Sequence, residues 1–107
     1  MPKNNRVMIS QPYAGLTDFE IDEARRNAVE TLEEKGFEVV DTFFSESSFK
    51  DLTEREIKHI PLYYLAKSIE YMAKCDAVYF CKGWENARGC EIEHKAAVEY
   101  GLECFYE

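Results

Sequence analysis

Short apolar runs that alternate with longer stretches of helical spacing constrain this chain more than any other feature, because strands separated by helical crossovers pair in parallel. Arg6–Ser10 (RVMIS) is an unbroken run closed by Gln11-Pro12, which suits a buried strand better than a helix start. Thr17-Asp18-Phe19-Glu20 has the form of a capping box, and Ile21, Ala24, Ala28 and Leu32 follow it at helical spacing until Gly36 supplies a left-handed cap. Residues 37–40 read as a second strand, and residues 41–51, rich in Ser and Phe without a period, read as a loop long enough to form a lid. A second capping box, Thr53-Glu54-Arg55-Glu56, opens a short turn that Pro61 interrupts; Leu62, Leu65, Ile69, Met72 and Ala73 then mark one helix face. Residues 77–81 form a third apolar run. Ile92, Ala96, Ala97 and Tyr100 give the last helix its expected buried stripe before Gly101, and residues 102–106 close as a strand.

The order β-α-β-α-β-α-β predicts an α/β fold: a single-domain three-layer Rossmann/flavodoxin-like sandwich with a short parallel sheet, spanning residues 1–107. At 107 residues with 46% hydrophobic and 14% aromatic content, the chain has material for one core and no room for a second. Thirteen Lys+Arg against 21 Asp+Glu leave a net charge of −8, which argues against a nucleic-acid polymer as partner, since phosphate-backbone binding needs a basic face. No apolar run approaches a membrane span, and Met1 to Arg6 lacks the apolar core of a signal peptide, so the expected setting is cytoplasmic and free of membrane. Cys75, Cys81, Cys90 and Cys104 lie 6, 9 and 14 apart with only His59 and His94 to join them, which is not zinc spacing; they read as small buried hydrophobes, with no metal and no disulfide.

In a sheet of this kind the ligand crevice lies beyond the carboxyl ends of the strands, near the reversal of strand order. The loops at residues 11–17, 42–48 and 82–89 are therefore the ones that could carry chemistry. No dinucleotide fingerprint or Walker sequence follows the first strand, and no cofactor is expected. Ser10-Gln11-Pro12-Tyr13-Ala14-Gly15 is a turn-forming loop whose backbone either approaches a flat ligand or simply connects two elements. Gly89, Glu93 and Ala97 stand at i, i+4 and i+8, which sets the Glu93 carboxylate on or beside the inward stripe, within about two turns of the helix start, where the macrodipole favours ionisation. That makes Glu93 a candidate nucleophile or ligand clamp; the plainer alternative is a helix carboxylate paired to a lysine. Glu91 fits the plain role, with Lys95 as its i+4 partner. Trp84, the only tryptophan, either plugs the core or stacks on a base, and Arg88 either meets an anion at the helix start or is solvated.

The segment from Cys75-Asp76 through Gly83-Trp84-Glu85-Asn86-Ala87-Arg88-Gly89 to Glu93, together with Ile9-Ser10-Gln11-Pro12-Tyr13-Ala14-Gly15, resembles the nucleoside 2-deoxyribosyltransferase superfamily. Within that superfamily it resembles the small bacterial and phage members with a C-D…G-W-E-x-S-R-G-x-x-x-E pattern. The resemblance implies a nucleoside or nucleotide N-glycosidase or 2-deoxyribosyltransferase. In that family a glutamate on the last helix, matched here by Glu93, attacks the anomeric carbon and the base leaves; no metal or cofactor is expected. It further implies substrate contacts from Ser10, Gln11, Pro12, Tyr13, Gly15, Ser68, Gly83, Trp84, Arg88 and Gly89, with a homodimer or higher homo-oligomer closing the crevice. Phe43, Phe44, Phe49, Phe105 and Tyr106 are aromatics available to such an interface.

Three positions depart from the pattern. Ser68 stands where the family carries a second catalytic carboxylate, Ala87 where it places Asp or Ser for the sugar's 5′ group, and Met8 where a tyrosine often supports the nucleophile. These departures imply the alternative of a catalytically depleted nucleoside- or nucleotide-binding protein, a sensor or sequestering module. Asp76 is not the missing acid: it precedes its strand, about 17 Å from the crevice, and reads as a cap or turn residue.

Overall fold

The computed structural model describes residues 5–40 and 57–107. The element order is β1 (Arg6–Ser10), α1 (Asp18–Glu34), β2 (Glu38–Val40), α2 (Ile60–Met72), β3 (Ala77–Phe80), a single 3-10 turn (Trp84–Asn86), α3 (Arg88–Glu99) and β4 (Glu103–Tyr106). Among the described residues all strand pairings are parallel, in the order β2-β1-β3-β4, and they form an α/β domain with a four-stranded sheet and three helices. The expected lid at residues 41–51, its three phenylalanines and the second capping box lie outside the described residues.

Alternation along β1 divides the core in two. Val7 and Ile9 face α1, packing with Ala28, Leu32, Ala77, Tyr79 and Cys81; Met8 faces the other way, with Met72, Val78, Phe80 and Ala97 under α2 and α3. α1 begins as its chemistry dictates: the Thr17 side chain accepts from the Glu20 amide at 3.1 Å while the Glu20 carboxylate accepts from the Thr17 amide at 2.9 Å. It ends in a Schellman arrangement, Phe37 N–H to Leu32 O and Gly36 N–H to Glu33 O, which needs the positive φ of 87° that Gly36 adopts. Asp76 ties the amino edge of the sheet, accepting from the Arg6 amide at 3.0 Å, in keeping with its place before β3.

Pro61 occupies the first turn of α2, where a missing N–H costs nothing. Three expectations about helix side chains are corrected. Leu62 is 61% exposed and Ala73 lies at the exposed helix end, so neither belongs to the inner face. On α3 the buried residues are Cys90, Glu93 and Ala97, whereas Ile92 and Tyr100 point outward at 44% and 85% exposure. The i, i+3, i+7 set faces the sheet even though one member is a carboxylate. Lys95 pairs with Glu99 at 3.2 Å, not with Glu91. Among the described residues no helix is long and apolar enough to cross a membrane.

Candidate functional site: a buried carboxylate at the sheet rim

The strand order reverses between β1 and β3, so the crevice position predicted for such sheets lies above Ser10 and Phe80. Ser10 is the last residue of β1 and shares its face with Met8; it is 2% exposed. Its hydroxyl donates to Glu93 Oε1 at 2.6 Å, a short charge-assisted bond between residues 83 apart in sequence. Ser68, half-buried on α2, lies close enough for its hydroxyl to favour the charged form of the same carboxylate. Three elements thus converge on Glu93, which is 7% exposed.

Burial pushes the Glu93 carboxyl above the ordinary glutamate range, and the two serine hydroxyls pull it partly back by donating to the charged form. Cys90, one turn earlier on α3, also lies beside Ser10; burial pushes its thiol up to about 11, so it stays protonated. Residue reasoning missed Cys90 as a neighbour of the carboxylate, although its i, i+3 spacing to Glu93 was the available signal. Burial likewise pushes the Tyr13 phenol up; the Arg25 guanidinium opposes this and the Glu93 charge adds to it, which sets Tyr13 within electrostatic reach of the carboxylate.

The other predicted contacts fall into two groups. Ser10, Ser68 and Glu93 come together, while Tyr13, 56% exposed in the loop after β1, feels the Glu93 charge without a contact to it. Gln11 adjoins them in the chain but turns to the α1 side, where its Nε2 donates to the Ile21 carbonyl at 2.7 Å. Pro12 meets Gly83 across the rim: a Cβ built on Gly83 would lie 3.6 Å from Pro12 Cγ, and the Gly83 φ of 90° lets the β3–α3 loop turn there. Gly15 sits in an exposed turn closed by Leu16 N–H to Tyr13 O, and Gly89 has open space beside it on α3. Arg88 is exposed as the first residue of α3.

Trp84 takes the packing alternative. Its ring lies 5.2 Å from Phe80, 4.3 Å from His94 and 5.6 Å from Tyr106, and His94 Nε2 contacts the Tyr106 hydroxyl at 2.8 Å. Phe105 is engaged edge-on with Phe37 at 5.3 Å, so it is not available to an outer surface. Met8, 1% exposed, fills the core beneath Ser10 and brings no hydroxyl to the carboxylate. Ala87 leaves the start of α3 without a side-chain cap. Cys81 and Cys90 are buried, while Cys75 and Cys104 are half-buried; all four are free thiols. Among the described residues no group of His, Cys, Asp or Glu converges as a metal site would.

A short, all-parallel α/β sheet with one hydroxyl-held carboxylate at its topological switch defines a small Rossmann-like domain whose polar centre stands where such folds keep their ligands. The chain belongs to the family described as Domain of unknown function (DUF4406), whose model matches residues 5–106. No curated protein and no solved structure matches it at a significant level.

Proposed function

We propose that the protein cleaves the N-glycosidic bond of a nucleoside or nucleotide, as a hydrolase or 2-deoxyribosyltransferase of the nucleoside 2-deoxyribosyltransferase type, with Glu93 as nucleophile. The observation that carries this reading is the buried Glu93 carboxylate, held by the Ser10 hydroxyl at the strand rim with Ser68 nearby. A structural carboxylate gains nothing from this position, since burial opposes its charge; a nucleophile gains orientation and freedom from water. In the reaction a Glu93 oxygen bonds to the anomeric carbon as the carbon–nitrogen bond breaks, and that bonding pair leaves with the base, which takes up a proton. Water or a second base then displaces the ester and frees the carboxylate. The Ser10 hydroxyl holds the attacking carboxylate in place, but serine hydroxyls are poor proton donors to the leaving base. Turnover is therefore expected to be slower than with a second carboxylate by about 10²–10⁴-fold.

The competing reading is a binding module without turnover, and the specific observation favouring it is Ser68 itself, a hydroxyl where chemistry of this type uses an acid. A panel of nucleosides and nucleotides separates the two. Release of free base by the wild type and not by Glu93→Gln supports the enzyme; tight binding with no base released by either supports the module. For quaternary structure a homodimer or higher homo-oligomer is proposed, supported by Leu62 on α2 and Ile92 on α3 standing exposed, and light scattering tests it.

A further inference from the structure

Breaking an N-glycosidic bond calls for a proton on the leaving base, and neither serine beside Glu93 is suited to give it, since alkyl hydroxyls are very weak acids. The stripe of α2 that faces α3 carries a stronger acid one turn nearer the rim. Tyr64, Ser68, Tyr71 and Met72 stand at i, i+4, i+7 and i+8, which is one face of a helix. Tyr71 and Met72 pack in one core cluster with Ala96 and Ala97 of α3, and Ser68 lies close to Glu93. The contact of α2 with α3 therefore runs along this stripe, and Tyr64, half-buried, begins it.

The direction of the two helices fixes what Tyr64 overlooks. Each is the crossover between parallel strands, α2 from β2 to β3 and α3 from β3 to β4, so both run from the carboxyl rim toward the amino edge. Two ladders lie side by side in steps of four: Tyr64, Ser68 and Met72 on α2, and Gly89, Glu93 and Ala97 on α3. Met72 shares a cluster with Ala97 and Ser68 neighbours Glu93, which sets Tyr64 level with Gly89. Among the described residues nothing lies within 4 Å of where a Gly89 Cβ would stand. Space is thus open on the rimward side of the carboxylate, and Tyr64 borders it from α2. An edge-on contact with Tyr63, centroids 5.8 Å apart at 73°, steadies the Tyr64 ring.

We propose that Tyr64 is a catalytic residue, the donor of the proton that the leaving base takes up. As the bond between the anomeric carbon and the base nitrogen breaks, its electron pair stays on the base and the Tyr64 Oη proton moves to a base nitrogen, leaving a phenolate. The water or second base that then displaces the Glu93 ester gives its proton to Tyr64, so that hydroxyl and carboxylate are both restored. A phenol is a far stronger acid than an alcohol and a weaker one than a carboxyl group, which fits a slow enzyme. The assignment rests on the N-glycoside reading above and adds to it the acid that Ser68 does not supply.

Base release by wild type and Tyr64→Phe is compared on two pairs, 2′-deoxyguanosine against 7-methyl-2′-deoxyguanosine and 2′-deoxyuridine against 5-fluoro-2′-deoxyuridine, each also as its 5′-monophosphate. The second member of each pair carries a base that departs without taking up a proton, or with less need of one. In a pair that the wild type turns over, Tyr64→Phe is expected to slow the first member by about 10²-fold or more, and the second by at least about tenfold less. Both rates come from one preparation, so a partly folded variant lowers them together and leaves the ratio intact. Equal slowing of both members makes Tyr64 a structural residue and overturns the assignment, as does no slowing of either; in both cases the glycoside reading stands. Release of no base from any of these substrates by the wild type overturns the glycoside reading and this assignment together.

Discussion

The starts of α1 and α3 both lie near the carboxyl rim of the sheet, and they are built in opposite ways. At α1 the Thr17 hydroxyl and the Glu20 carboxylate satisfy each other's backbone donors on the surface, and the Thr17 amide holds the Glu20 carboxyl below its ordinary range. At α3 the cap position is Ala87, with no side-chain bond, and the nearby glutamate, Glu93, is turned inward and pushed above the range by burial. One helix start uses its acid for stability. The other forgoes a cap and buries a carboxylate, an arrangement in keeping with the role proposed for Glu93 at the crevice.

The difference sets the pH behaviour of the two groups. Glu20, depressed in the folded state, contributes stability that is present above the usual glutamate range and is lost as pH falls through its lowered folded value. Glu93, raised in the folded state, contributes most below the usual range, and that contribution is lost as pH rises through its elevated value. A nucleophile must be ionised, so base release is expected to fall on acidification with an apparent midpoint above the ordinary glutamate range.

The largest expected effect in this comparison is at Glu93: Glu93→Gln is expected to lower base release by about 10³-fold or more, while raising the melting temperature at neutral pH because a buried charge is removed. Loss of activity together with a lower melting temperature breaks the contrast, because the carboxylate would then be a structural member like Glu20. Next in size is Ser68→Asp, which places a second carboxylate beside the first; base release is expected to rise by at least about tenfold, with the acid limb moving to higher pH as the two carboxylates repel. Rate assays across pH check both changes. Thr17→Ala is expected to cost about 1 kcal/mol in denaturant unfolding with turnover unchanged, since that cap serves the fold alone. Smallest is Ala87→Ser, which installs the cap that α3 lacks and is expected to add roughly 0.5 kcal/mol.

Local chemistry made the element order and the α1 start legible: Thr17 with Glu20, Gly36 after Leu32 and the unbroken run before Gln11 each act through neighbours in the chain. The faces were harder. Ile92 and Tyr100 look like core residues and lie outside, because hydrophobicity alone does not say which third of a helix meets the sheet. Spacing from Gly89 and Ala97 did place Glu93 inward, where the carboxylate accepts from the Ser10 hydroxyl of β1. Ser68 was suggested only by position relative to Asp76, since nothing local in α2 marks a serine as a partner of residue 93. The turn of Gln11 toward α1 was illegible, because it depends on what α1 presents across the rim.

A nucleophilic Glu93, as proposed, becomes covalently joined to the sugar during turnover. Acid-quenched wild-type protein, caught during reaction with a turned-over nucleoside and read by peptide mass spectrometry, is expected to carry one sugar residue on the peptide containing Glu93, and Glu93→Gln is expected to carry none. Base release with no sugar on that peptide, or with the sugar on another residue, contradicts the account.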